Sequence, residues 1–418
     1  MPIFDQGYQH WQGQLSGHGW RWLAVTRHGV RIGMKSMLIR ITVILAWIPA
    51  VMLAGVMALW GLAEQKSPGA MTFLGKMIPV QEFLANPSAF RMTMWTLSFQ
   101  RFLQVEIYFV MILVLMVGPS LISQDLRFNA LPLYFSRPVR RIDYFVGKLG
   151  VIGFFLGLVT VVPGVIAWLL GVLFSLDFSV IFDTAHILLG VIVYGLVETL
   201  SAGLLILAMS SLTRNSRYVG ALWAGFWLLT STVSAGLHGI LVSGLIIHQI
   251  KMEKGREQRS HDRLMDTAEA RNDDFAPQMA PDEKARRKAA RAEREQGRTE
   301  AEDKDDLEHE EQIQGLKASM EKDWRSTVSY MQNLLRIGDA LLGSYEAWDD
   351  YYRLQPASQK PRSPPDGVNR RRGSPPDERL NRMQVQWPLS WSGMVLLALG
   401  GLSVWILNTR VKSLDRLR

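Results

Sequence analysis

The chain has no cysteine, which excludes a disulfide framework, a thiolate nucleophile and any sulfur-ligated metal site. It has no G-x-x-x-x-G-K-[ST] loop, so it lacks the usual backbone nest for a nucleoside triphosphate, and energy from ATP must enter through a separate subunit. Neither a G-x-S-x-G elbow nor an H-E-x-x-H pair occurs, which weighs against hydrolase chemistry. The eight histidines (His10, His18, His28, His186, His238, His248, His261 and His309) are scattered without ligand spacing. No metal site and no cofactor on this chain are expected.

What is present falls into two populations. A mean hydropathy of +0.07 averages long uncharged apolar runs with one very polar block. Apolar runs occupy residues 41–62, 105–123, 145–174, 184–212, 219–248 and 391–407. The first could reach roughly 33 Å at about 1.5 Å per residue, enough to cross a bilayer. The composition predicts an all-α membrane protein with six transmembrane helices. Pro49 is placed to kink the first span, and Pro163 with Gly164 to bend the third. The net charge of +8 would suggest nucleic acid in a soluble protein, but here many basic residues flank apolar spans, where membrane orientation explains them. No nucleic-acid partner is expected.

Four regions follow. Residues 1–40 place Trp11, Trp20 and Trp22 among Arg21, Arg27, Arg31, Lys35 and Arg40, which suits an interfacial helix on the cytoplasmic face. Residues 41–250 carry spans one to five. Residues 251–383 form a polar, partly disordered insertion with mixed charge and no apolar heptads, so no coiled coil. Within it, apolar residues return at helical spacing over 324–352, predicting an amphipathic helix at the membrane or on the spans, and 355–377 is a Pro- and Arg-rich linker. Residues 384–418 hold the sixth span and a basic tail. Loop charge and parity put both termini in the cytoplasm, the chain in the inner membrane in contact with its lipids, and the insertion outside. Arg362, Arg370, Arg371, Arg372, Arg379 and Arg382 near the outer end of the last span oppose that placement, yet long loops translocate largely regardless of charge.

The most informative stretch lies between the second and third runs. Residues 119–148 carry Arg127, Arg137, Arg140, Arg141 and Lys148 against Asp125 and Asp143, the bias of a short cytoplasmic loop. Leu126, Phe128, Ala130, Leu131, Leu133, Tyr134 and Phe135 give its middle an apolar, amphipathic character, which Ser136, Arg137 and Pro138 end. Read from charge alone, this is a basic loop that keeps two spans in register and attracts lipid headgroups.

The order of its residues says more. Asp125 and Arg127, then ALPLYFSRP from Ala130 to Pro138, then RRIDYFVGK from Arg140 to Lys148, resemble the first cytoplasmic loop of ABC type-2 transporter permeases. Matching positions are Asp125, Arg127, Ala130, Leu131, Leu133, Tyr134, Ser136, Arg137, Pro138, Arg141, Asp143, Tyr144, Gly147 and Lys148; Arg140 adds charge beside them. The family often has an acidic residue where this chain has Pro132, which shortens the element because proline fits only near a helix start. The resemblance implies a short cytoplasmic coupling helix, two ATPase subunits that carry ATP and magnesium, a second permease copy or similar permease, and export. On that reading this chain is not itself an enzyme.

Ionisable residues within the runs are the remaining candidates. Glu198 and His238 lie deepest, in a transport path or in helix packing with Ser201 and Thr199 near them. Glu106 falls at the outer end of the predicted second span, within reach of water. Two other readings stand beside the permease: a membrane-embedded enzyme using Glu198 and His238, and a non-transporting scaffold whose insertion binds a partner.

Overall fold

The computed structural model describes residues 18–77, 87–135, 140–175, 177–237, 322–353 and 387–411, with 239, 286 and 289 as isolated positions. Among the described residues there are helices and no strands. Six helical segments are long and apolar enough to cross a membrane: Met37–Glu64, Pro87–Arg127, Arg141–Ser175, Ser179–Leu212, Ser216–Leu237 and Leu389–Arg410. The chain is an all-α, multi-pass membrane protein. Most of the charged insertion (251–321) and the linker 355–377 lie outside the described residues.

In chain order the helices are α1 (Arg21–Gly33), α2 (Met37–Glu64), α3 (Pro68–Met77), α4 (Arg91–Val117), α5 (Ser120–Arg127), α6 (Leu131–Phe135), α7 (Arg141–Leu156), α8 (Val162–Ser175), α9 (Ser179–Leu212), α10 (Ser216–Leu237), α11 (Tyr330–Leu342), α12 (Ser344–Arg353) and α13 (Leu389–Arg410). They belong to two units, one of Met1–Leu228, Leu334–Tyr351 and Met394–Arg418, the other of Leu229–Asn333 and Tyr352–Gly393.

The first unit holds the main core. Met57, Trp60, Trp95, Phe99, Phe102, Trp168, Val191 and Tyr194 are buried together there. In lipid, apolar surface alone gives helices little reason to associate, so close approach at small residues matters. Gly61 of α2 shows this: a Cβ there would stand 2.7 Å from the backbone carbon of Phe174, so α2 and α8 touch where only glycine fits. Trp168 of α8 donates its indole N–H to Thr184 Oγ1 of α9 at 2.9 Å, and Trp223 of α10 donates to the Met111 carbonyl of α4 at 3.1 Å.

The second span starts well before residue 105. A short turn, Pro87–Phe90, leads into α4, whose first turns bury Arg91, Thr93, Thr96 and Gln100. Their polarity is answered by protein rather than water. Gln100 donates to Asp339 of α11 at 2.7 Å and accepts from the Trp348 indole of α12 at 2.8 Å, so residues 334–351 of the amphipathic stretch predicted over 324–352 rest on the spans.

Two interruptions shape the middle spans. Pro119, with no N–H to donate, separates α4 from α5. Ser210 of α9 mends the gap: its hydroxyl donates to the Pro119 carbonyl and accepts from the N–H groups of Ile122 and Ser123, at 2.9, 3.1 and 3.0 Å. In the third span, Gly157–Val161 forms one π-helical turn between α7 and α8. Pro163 cannot donate to the carbonyl four residues back, and the widened turn before it absorbs the lost bond.

The N-terminal helix α1 is held by the protein as well as by its amphipathic character. Thr26 donates to the Gly147 carbonyl of α7 at 2.9 Å, and a Cβ on Gly147 would come within 2.6 Å of Val25 Cβ and 2.9 Å of the Trp22 carbonyl oxygen.

In the second unit, the end of α10 meets the turn before α11. Ser234 donates to the Arg325 carbonyl at 3.2 Å, and Asn333 folds back to donate to the carbonyls of Thr327 and Ser329 at 2.6 and 2.9 Å.

Candidate functional site

The loop between the second and third spans is built by local chemistry. After α5 the chain reverses at Asn129, whose φ of 52° is left-handed, a region asparagine tolerates better than most residues. The Ala130 N–H then reaches the Asp125 carbonyl at 2.8 Å. Helix α6 follows, five residues long, with Pro132 in its first turn where a missing N–H costs nothing. Asp143, in the first turn of α7, accepts from the Arg140 N–H at 3.1 Å and sits where the helix dipole favours negative charge.

Four of the expected site residues converge inside this loop. Asp125 Oδ2 accepts from Lys148 Nζ and from the Tyr144 hydroxyl, each at 2.7 Å. The Lys148 ammonium also lies 5.9 Å from the centre of the Tyr134 ring and 5.4 Å from that of Tyr144, and the two rings are 5.4 Å apart. An ammonium over tyrosine faces adds cation–π attraction to the ion pair. Burial, and then the Asp125 charge, push the Tyr134 phenol above its ordinary value, so it stays neutral. These side chains grip one another, and so they fasten α5, α6 and α7 together.

Other residues are left facing outward. Phe128 and Ile142 are each 72% exposed, while Arg127, Pro132 and Arg140 are exposed too. The Arg127 guanidinium rests 5.5 Å from the centre of the Phe128 ring. Leu131 and Arg141 are half-buried. Ser136, Arg137 and Pro138 lie outside the described residues, as does the side chain of Leu133. Ile142 was absent from the sequence expectation, and Phe128 entered it only as part of the amphipathic element. The available signal was an apolar residue beside arginines just beyond a span.

The opposite end of the second span carries a second ionic cluster. Arg91 makes a forked contact with Glu64, Nε to Oε1 at 2.8 Å and the other arm to Oε2 at 3.0 Å, and also reaches Asp177 at 3.0 Å and Asp183 at 3.3 Å. Hydrogen bonds from Ser179, and secondarily Arg91, hold the Asp177 carboxyl below its ordinary value.

Between these ends lie two acidic residues. Glu198 of α9 is fully buried; its Oε2 accepts from Thr160 in the π turn at 3.1 Å, and its Oε1 has no partner among the described residues. Glu106 does not reach water. It is 1% exposed, and neither of its carboxyl oxygens has a hydrogen-bond partner among the described residues. Because α4 begins at Arg91, Glu106 lies about 22 Å along that helix rather than at its mouth. His238 lies outside the described residues. Among the described residues, no group of three or more histidine, aspartate or glutamate side chains is placed to hold a metal.

Set against protein-family models, curated proteins and solved structures, the chain matches none of them.

Proposed function

We propose that the chain is the transmembrane permease subunit of an ATP-binding-cassette exporter of the type-2 class, working beside a second permease copy or a similar permease. A separate cytoplasmic ATPase, which carries ATP and magnesium, seats on the loop around α6. Supporting this reading above all is the way Asp125, Tyr134, Tyr144 and Lys148 pin the loop from within while Arg127, Phe128, Arg140 and Ile142 point out. An apolar pair ringed by arginines suits an apolar groove with an acidic rim. Movement of the ATPase would then reach α5 and α7 as rigid displacement, because both are fastened to the same ion pair. On this reading the loop and both chain ends face the cytoplasm.

The test is capture of the ATPase from the protein's own cells by detergent-solubilised protein, wild type against Phe128→Asp with Ile142→Asp. Wild type should retain a soluble ATPase, and the variant should lose at least about tenfold in capture, the equivalent of roughly 1.4 kcal/mol. Both changes are at exposed positions, so the melting temperature should hold. A wild type that retains no ATPase even after mild crosslinking, or a variant that captures as well as wild type, would sink the proposal.

A further inference from the structure

Helix α1 meets α7 with one face only. Thr26 donates to the Gly147 carbonyl at 2.9 Å, a Cβ on Gly29 would collide with Val151, and one on Gly33 would come within 2.8 Å of Phe155 Cζ. At about 100° per residue, Arg27 and Arg31 fall on the side of α1 turned away from that contact, one turn apart. Both are exposed, as are Lys35 in the turn after α1 and Arg40 in the first turn of α2.

No acid answers these cations. The sequence holds no aspartate or glutamate between Asp5 and Glu64. The acids of the neighbouring loop are taken: Asp143 accepts from the Arg140 N–H, and Asp125 is held by Lys148 and Tyr144. Among the described residues, the side chains of Arg27, Arg31, Lys35 and Arg40 have no hydrogen bond or ion pair. The exposed ridge then turns apolar without a break. Ile41, Ile44, Leu45 and Ile48 follow Arg40 at helical spacing and are 41–68% exposed, on a helix long and apolar enough to cross a bilayer.

We propose that this ridge is a binding surface for an anionic phospholipid, with the headgroup phosphate among Arg31, Lys35 and Arg40 and an acyl chain along Ile41, Ile44, Leu45 and Ile48. Arg27 extends the positive field toward further headgroups. The occupant has to offer negative charge and a long apolar chain side by side. An acidic protein or a nucleic acid supplies the charge alone, and a zwitterionic lipid sets a cationic group beside its phosphate, which arginine and lysine repel. Arginine also meets a phosphate through two parallel N–H donors. Basic residues beside any span attract anionic lipid. This ridge differs in that its four cations stand without one internal acid and in line with a lipid-facing stripe. The surface stands whether or not an ATPase docks on the loop.

Native mass spectrometry of the full chain, released from detergent micelles carrying equal amounts of phosphatidylglycerol and phosphatidylcholine with identical chains, reads the preference directly. Wild type should retain phosphatidylglycerol over phosphatidylcholine by at least about tenfold, and the combined Arg27→Gln, Arg31→Gln, Lys35→Gln, Arg40→Gln variant should bring the two lipids close to parity. Arg214→Gln with Arg217→Gln, in another basic loop beside a span, should keep the wild-type ratio. The four ridge side chains have no partner to lose among the described residues, so the variant should fold at the wild-type melting temperature. If it does not, wild type alone decides: phosphatidylglycerol with a photoactivatable diazirine in its acyl chain should label residues 37–52 in preference to the other spans, and labelling spread evenly over the spans overturns the surface. Equal ratios in wild type and the fourfold variant, an equal fall in the Arg214 and Arg217 variant, or a wild type that lacks the preference and instead binds a single-stranded RNA oligonucleotide would overturn it as well, the last by assigning the ridge to nucleic acid.

Discussion

The two ionic clusters at the ends of the second span look alike in composition and differ in design. At Arg91 a planar guanidinium fork divides itself among Glu64, Asp177, Asp183 and Ser179, and so ties α2, α4 and the start of α9 at one point. At Lys148 a point charge meets one carboxylate and two tyrosine faces, all within the segment that makes one loop. Arginine and lysine are not interchangeable in such settings, because only the fork satisfies several acceptors in fixed directions. The first cluster therefore belongs to assembly of the bundle. The second belongs to the stiffness of one loop. Between them sit Glu106 and Glu198, with no cation paired to either among the described residues.

Removing Arg91 should separate the two most strongly. Arg91→Ala leaves Glu64, whose side chain is 5% exposed, without its counter-charge, and should cost about 3–5 kcal/mol, read as a large fall in melting temperature in detergent. Arg91→Lys should recover only part of that loss, since it keeps the charge and discards the fork; full recovery would erase the distinction. Lys148→Ala should cost less, about 1–3 kcal/mol, because Asp125 keeps the Tyr144 hydroxyl and lies near the surface. Its larger signature should be loss of ATPase capture at a temperature where the fold is intact, and capture equal to wild type would dissociate the pinned loop from docking.

The smallest expected effect concerns pH. Asp177 has its folded value below the ordinary 3.8, so its contribution is fully present above that value and fades as pH falls from there toward the folded one. Melting temperature measured across that acid range should fall slightly more in wild type than in Asp177→Asn. Since the carboxyl is exposed, a difference as large as that from Arg91→Ala would mean the Arg91 cluster is not organised as described.

The apolar runs were legible because lipid demands length and hydropathy, and all six contain a helix long enough to cross, the fifth described as far as Leu237. Their boundaries were legible only where the flanking residues face water. Residues 91–104 precede the apolar run that begins at 105, yet their Thr93, Thr96 and Gln100 are buried, and hydropathy cannot tell a polar group with a partner from one with a solvent shell. Glu106 was misplaced for the same reason. Likewise the docking of α1 depends on what stands opposite Gly147 and Gly29, a matter of pairing rather than composition. In the loop, Asp125 and Lys148 read from sequence as part of a charge bias and Tyr144 as one position of a resemblance, because their shared contact depends on how α5 and α7 pack.

The π turn at Gly157–Val161 sets a rotational phase. An α-helix advances about 100° per residue, so the extra residue turns everything from Val162 onward by that angle relative to α7. Without it, the half of the third span that meets Trp95 and Val191 through Gly171 and Gly164 would present those glycines to a different neighbour. Deleting one residue there would keep the span's hydropathy and unscrew its two halves from each other, a change visible to the bundle and invisible to any profile of the sequence.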